Sequence, residues 1–173
     1  MRNLSTRELA ILGLLTALVT VFTMSFTIPV PATSGYIHLG DSMIFLAAVL
    51  FGWRYGLIAG GLGSALADIL AGYAHWALPT LIIKGLMGLI VGKIAKGESD
   101  KLLTLRNILS LVIGALWMVT GYYFAGAFMQ SSFLVPLESI PFNLIQGFGG
   151  ALIFIPLFVP LAMALKRTKF IDR

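Results

Sequence analysis

Asp68 and Lys84 are the two charges in an otherwise uncharged, largely apolar run, ADILAGYAHWALPTLIIKG (67–85). An acid and a base on either side of a short turn can hold each other, or can hydrogen-bond the polar edge of a ligand. A charge within a membrane span costs at least about 2.5–3.5 kcal/mol on insertion scales, so it is paired or faces water. Read as two antiparallel helices, the segment puts both groups at similar depth. The structural and ligand-binding readings stand level, because a purely structural pair adds little net stability over apolar replacements. Other groups able to do chemistry collect nearby in the pattern: Tyr36, His38 and Asp41, then His75 and Trp76, then Tyr123, Glu138, Asn143 and Gln146. Asn143 and Gln146 are three apart and share a helix face. Such amides either bond neighbouring helices or read a ligand's polar edge. Tyr36, Trp76 and Tyr123 could sandwich a ring, although a Trp at this position also suits an interfacial belt. The two histidines and two aspartates lack a recognisable ligand spacing, so no metal is expected.

The elements that must position these residues are membrane spans. The chain is 58% hydrophobic and 11% charged, with a mean hydropathy of +0.96. Soluble domains are about 25% charged. The expected fold class is an all-α integral membrane protein, one domain over 1–173, with six transmembrane helices at about 9–28, 39–52, 55–72, 79–94, 107–129 and 137–165. The absence of cysteine excludes disulfides, thiolate metal sites and thiol catalysis. The first apolar run follows Arg2 and Arg7 and is longer than a signal-peptide core, so it reads as an uncleaved span.

Orientation follows from the basic residues. With both termini cytoplasmic, the inner segments hold Arg2, Arg7, Arg54, Lys93, Lys96, Lys101, Arg106, Lys166, Arg167, Lys169 and Arg173, and Lys84 alone of the twelve is left over. This satisfies the positive-inside rule at every turn and turns the polar collection outward. The bases sit at span ends rather than in one stripe, which argues against nucleic acid. The second span is short, roughly 15 residues or about 22 Å of helix, against a hydrocarbon core of about 30 Å. The preceding PVPATSGYIH (29–38) carries two prolines and a glycine and is expected to be a non-helical loop folding over an outward-facing pocket. Backbone of that kind is tolerated at depth only where protein buries it or water reaches it.

Small residues recur at helical spacing. Gly13 and Ala17 mark a flat stripe on the first helix, suited to internal packing or to a partner helix. Gly56, Gly60 and Ser64, with Gly61 and Gly63, and then Gly85, Gly88 and Gly92, point to closely packed third and fourth helices. GLIVGKI (88–94) lacks a residue between its glycines and the hydroxyl residue of a phosphate loop, so the chain is not expected to hydrolyse ATP. GLGSA (61–65) does not match an intramembrane serine protease motif. No enzyme activity is expected.

The stretch from His38 to Gly92 carries Gly-Asp, Leu-Ala-Ala, Phe-Gly-x-x-x-Gly, a glycine ladder, Ala-Asp, Gly-Tyr and Thr-x-x-x-Lys-Gly. It resembles the substrate-binding S components of energy-coupling factor (ECF) vitamin transporters, of the riboflavin type. GLLTALVTV (13–21) resembles that family's first-helix small-residue stripe, with Gly13 in place of its first alanine, and NLIQGFGGALIF (143–154) is also similar. The resemblance implies six helices and a vitamin or precursor bound at the outer side. It implies docking through Gly13 and Ala17 on a transmembrane T component that carries two cytoplasmic ATPases. ATP would then be used by those partners, and this chain would need no cofactor. The expected location is a prokaryotic plasma membrane. The residues expected to bind substrate are Tyr36, His38, Asp41, Asp68, His75, Trp76, Lys84, Tyr123, Asn143 and Gln146. A pyridoxine-like or hydroxymethylpyrimidine-like ligand ranks first and riboflavin third. The alternative is a scaffold membrane subunit with no small-molecule ligand.

Overall fold

The structure is a computed structural model that describes residues 5–31, 34–95 and 104–167. Arg2, Lys96, Lys101, Lys169 and Arg173, used above for orientation, and positions 32–33 of the expected loop lie outside the described residues, as does the side chain of Lys166. Helix α1 spans Thr6–Ser25. It starts earlier than its apolar run because Ser5 and Glu8 form a capping box: Ser5 Oγ accepts from the Glu8 N–H at 3.2 Å, and the Ser5 N–H donates to Glu8 Oε2 at 2.8 Å. It ends three residues before the expected boundary. Pro29 disfavours helical backbone at Ile28, and the chain turns extended at Phe26.

The expected loop is an ordered β-hairpin. Strand β1 (Thr27–Val30) pairs antiparallel with β2 (Gly35–His38), Thr27 opposite His38 and Val30 opposite Gly35. The all-α expectation is therefore corrected by one two-stranded sheet. The β-branched Thr27, Ile28, Val30 and Ile37 favour the extended state.

Helix α2 (Asp41–Leu46) continues through a wide π-helical turn, Ala47–Phe51, and is the centre of the molecule. Ile44, Phe45 and Ala47 are fully buried, and α1, α3, α4 and α6 all pack on α2. Its eleven residues, 41–51, make about 16 Å of helix. Gly52, at φ +96°, supplies the turn into α3 (Trp53–Leu70). Helices α4 (Ala77–Ile94), α5 (Leu105–Met129) and α6 (Ser139–Arg167) complete six among the described residues, with short 3₁₀ turns at Ala74–Trp76 and Val135–Glu138.

The glycine ladder sets the tightest contact, α3 against α4. A Cβ on Gly88 would lie 2.1 Å from the Gly56 carbonyl oxygen, and one on Gly60 would lie 2.9 Å from that of Lys84. On the other side of α3, Gly63 accepts from Thr20 Oγ1 of α1 at 2.9 Å. Gly13 and Ala17 sit on the opposite, exposed face of α1, and a Cβ on Gly13 would meet nothing within 4 Å.

Four segments, Thr6–Ser25, Ala74–Ile94, Leu105–Met129 and Val135–Leu165, are long and apolar enough to cross a membrane, and only 22–39% of their most apolar windows is buried inside the protein. Leu14, Leu78, Leu116, Phe124 and Leu152 point outward. Helices apolar on both inner and outer faces belong in lipid.

Candidate functional site

One polar cavity lies between the β-hairpin and the ends of α3, α4, α5 and α6. Its volume is about 40 Å³, room for a few water molecules. Val30, Gly35, Tyr36 and His38 of the hairpin form one side. Asp68, Trp76, Thr80, Tyr122, Ser139, Asn143 and Gln146 form the rest.

Two polar links tie the hairpin down. Tyr36 donates its hydroxyl to Asp68 Oδ1 at 2.7 Å, and the His38 N–H donates to Gln146 Oε1 at 2.9 Å. The Gln146 amide reaches onward, donating from Nε2 to Asp41 Oδ2 at 3.1 Å, and Lys84 Nζ donates to Asp41 Oδ1. Hairpin, α6, α2 and α4 thus share one buried network. His38 Nδ1 accepts the Gly40 N–H at 3.0 Å, which leaves Nε2 to carry the ring proton and act as a donor.

Aromatic rings frame the same space. Tyr36 packs on Tyr73 with centroids 4.5 Å apart, and Trp76 meets Tyr122 edge-on at 5.8 Å. Tyr122 donates to Thr80 Oγ1 at 3.1 Å, and Lys84 Nζ lies 5.4 Å from the Tyr122 ring centroid. The cavity is therefore lined by faces able to stack on a flat ring and by groups able to bind its edge.

The family of ECF-type riboflavin transporter S components matches residues 3–164. The chain belongs to that family. It is 35% identical over 130 residues to the thiamine precursor transporter HmpT of Lactococcus lactis subsp. cremoris (strain MG1363), covering 75% of this chain and 72% of that one. It is 53% identical over 104 residues to an uncharacterized protein of Pyrococcus woesei, covering 60% of this chain and 68% of that one. The fold matches a solved structure described as the S component of a bacterial ECF transporter, with a TM-score of 0.71 at 23% identity, over 91% of this chain and 96% of the other. The protein is a multi-pass membrane subunit of the substrate-binding, vitamin-transporting kind, and neither family nor fold is that of an enzyme.

Within this S component, six of the expected substrate residues meet at the cavity: Tyr36, His38, Asp68, Trp76, Asn143 and Gln146. Asp41 and Lys84 do not line it. They form a fully buried ion pair behind it, each with 0% side-chain exposure. Their pairing gives Lys84 a partner other than Asp68, and the expectation that Asp68 and Lys84 lie at similar depth is corrected. The backbone contacts between α3 and α4 set Lys84 level with Gly60, and Asp68 lies eight residues further along α3, about 12 Å. The expected turn was too long: Ala74–Trp76 already winds helically and α4 begins at Ala77, not at Pro79.

His75 is exposed outside the cavity, and Tyr123 donates its hydroxyl to the Phe133 carbonyl at 3.1 Å, away from it. Tyr122 takes the place expected of Tyr123. The signal was in the helix phase, since Tyr122 continues the inward row of Ala115, Met118 and Gly126. Thr80 was legible too, one turn before Lys84 on the same face, whereas nothing local marked Ser139.

Proposed function

We propose that this S component captures a small, flat, water-soluble vitamin precursor in the cavity beneath the hairpin and delivers it by docking on an ECF T component bound to two ATPases. The observation that carries the reading is the cavity itself, aromatic on its faces and hydrogen-bonding at its edges, closed by a hairpin held through two side-chain contacts. Ligand sites for drug-sized molecules run to about 300–1,000 Å³, so a ring-sized ligand requires the hairpin to lift from a cavity of about 40 Å³. Pyridoxine-like and hydroxymethylpyrimidine-like molecules rank ahead of riboflavin, whose three fused rings demand still more room. The similarity to a thiamine precursor transporter supports a precursor-sized ligand.

Docking falls to the outward face of α1, where Gly13 and Ala17 leave space for a partner helix. Both termini lie in the cytoplasm of a prokaryotic cell, an orientation supported by the basic residues at the inner span ends. The experiment is purification of the full chain in detergent, identification of any co-purified small molecule by mass spectrometry, and titration with a vitamin panel. Binding in the nanomolar-to-micromolar range is expected. A chain that binds no member of the panel is a scaffold subunit instead.

A further inference from the structure

Three charged side chains are buried among the described residues, Asp41, Asp68 and Lys84. Lys84, the one buried cation, is committed to Asp41. Asp68 is 4% exposed and faces the cavity, and the salt bridge found at Lys84 among the described residues goes to Asp41 instead. Tyr36 serves its Oδ1, and its Oδ2 has no hydrogen-bond partner among the described residues. A second cavity residue carries the complementary deficiency: Trp76 Nε1 is buried and undonated. A buried acceptor left unmet costs about 1–3 kcal/mol, and more when charged. His38 adds a further donor, because its Nδ1 is occupied by the Gly40 N–H.

The chemistry missing at Asp68 is therefore a donor, best a donor that also brings positive charge. Resting on the S-component reading above, we infer that Asp68 anchors an amidine-type edge. Such an edge is a ring nitrogen beside an exocyclic amino group, as in a 4-aminopyrimidine. The site then selects amino-substituted nitrogen heterocycles over their oxygen-substituted counterparts. Two parallel N–H···O contacts to one carboxylate are the strong, geometrically specific form of this interaction. Asp68 enters this contact as a carboxylate that only accepts, and the amidine edge enters as its protonated form, so both contacts are N–H donating to oxygen. The oxygen-substituted ring presents N–H beside C=O instead. Its carbonyl oxygen then faces Asp68 acceptor to acceptor, and a site built to bond one pattern rejects the other strongly because the mismatched groups stay unpaired. Trp76 Nε1 and His38 Nε2 supply donors for the ligand's remaining ring nitrogen or hydroxyl.

The test uses the purified full chain in detergent. The probes are 4-amino-5-hydroxymethyl-2-methylpyrimidine, its 4-oxo counterpart, pyridoxine and riboflavin, titrated by calorimetry. The amino compound is expected to bind at least about 30-fold more tightly than the 4-oxo compound. Asp68→Asn keeps the acceptor for Tyr36 but presents an amide, which matches N–H beside C=O. It is expected to lose at least about tenfold for the amino compound and to hold or gain affinity for the 4-oxo compound. Tyr123→Phe, outside the cavity, controls for handling, and size-exclusion and melting profiles check that each variant is folded. If Asp68→Asn does not fold, the wild-type preference between the two pyrimidines still decides. Equal affinity for both pyrimidines, or equal losses for both in Asp68→Asn, overturns the assignment. Binding of pyridoxine or riboflavin alone overturns it while leaving the S-component reading intact, and binding of nothing across the vitamin panel overturns both.

Discussion

Replacing Lys84 by Met separates a structural ion pair from a ligand contact. Lys84 and Asp41 are both fully buried. The substitution keeps the volume of the lysine stem but leaves Asp41 with the Gln146 amide as its remaining side-chain partner. Breaking a buried pair from one side costs about 3–5 kcal/mol, because a charge stays behind in a medium that cannot solvate it. At about 2–4 °C per kcal/mol for a chain of this size, the melting temperature of the detergent-solubilised protein should fall on the order of 10 °C. Asp41→Asn combined with Lys84→Met removes both charges, preserves an acceptor for Gln146, and should recover most of that loss. The assay is thermal unfolding of the wild type, both single variants and the double variant as a thermodynamic cycle. A single variant as stable as the wild type, or a double variant no better than Lys84→Met, refutes the structural role. So does a large loss of ligand affinity at unchanged stability, which is the signature of a direct contact.

Three more outcomes follow from the packing. Gly88→Val should abolish accumulation of folded protein in the membrane, since even the first added carbon would lie 2.1 Å from the Gly56 carbonyl oxygen; membrane-fraction immunoblots check it. Gly13→Leu should leave ligand affinity within about twofold and stop uptake by the assembled transporter, because the position is open on the outer face of α1 and a partner helix needs it flat; normal uptake removes the docking role. Tyr36→Phe cuts one of the two hairpin links and should raise the ligand dissociation rate at least about tenfold, the loss of a hydrogen bond to a charged group amounting to about 1.5–3 kcal/mol; stopped-flow displacement measures it.

Much of the scaffold is legible one segment at a time. Composition puts the chain in lipid, and the short apolar run before Trp53 already requires something non-helical above it. The Gly56, Gly60, Gly85 and Gly88 spacings announce the close α3–α4 contact that Gly56 and Gly88 make backbone to backbone. These features depend on the sequence within one or two helical turns, so a single chain displays them. The ordered pairing of the hairpin is less visible, because two prolines and a glycine say only that the segment is not helical. Its register follows from where α1 ends and α2 begins.

The partners of the buried charges were settled by tertiary structure. The sequence puts three acids, Asp41, Asp68 and Glu138, and one base, Lys84, toward the outer ends of the spans, and helix lengths compare their depths only as well as the turns are known. Ala74–Trp76 winds into α4 and shifts the register, which sets Lys84 against α2 and Asp41 rather than opposite Asp68. Rotation matters as much as depth: Tyr122 and Tyr123 are neighbours in sequence, yet about 100° on the helix sends one into the cavity and the other to the Phe133 carbonyl. The chain by itself determined that polar groups gather beneath a cover in an otherwise apolar protein, because lipid forbids their scattering. Only the packing of six helices decided which acid received the lysine and which was left facing the cavity, because that choice depends on the relative turn and translation of helices distant in sequence.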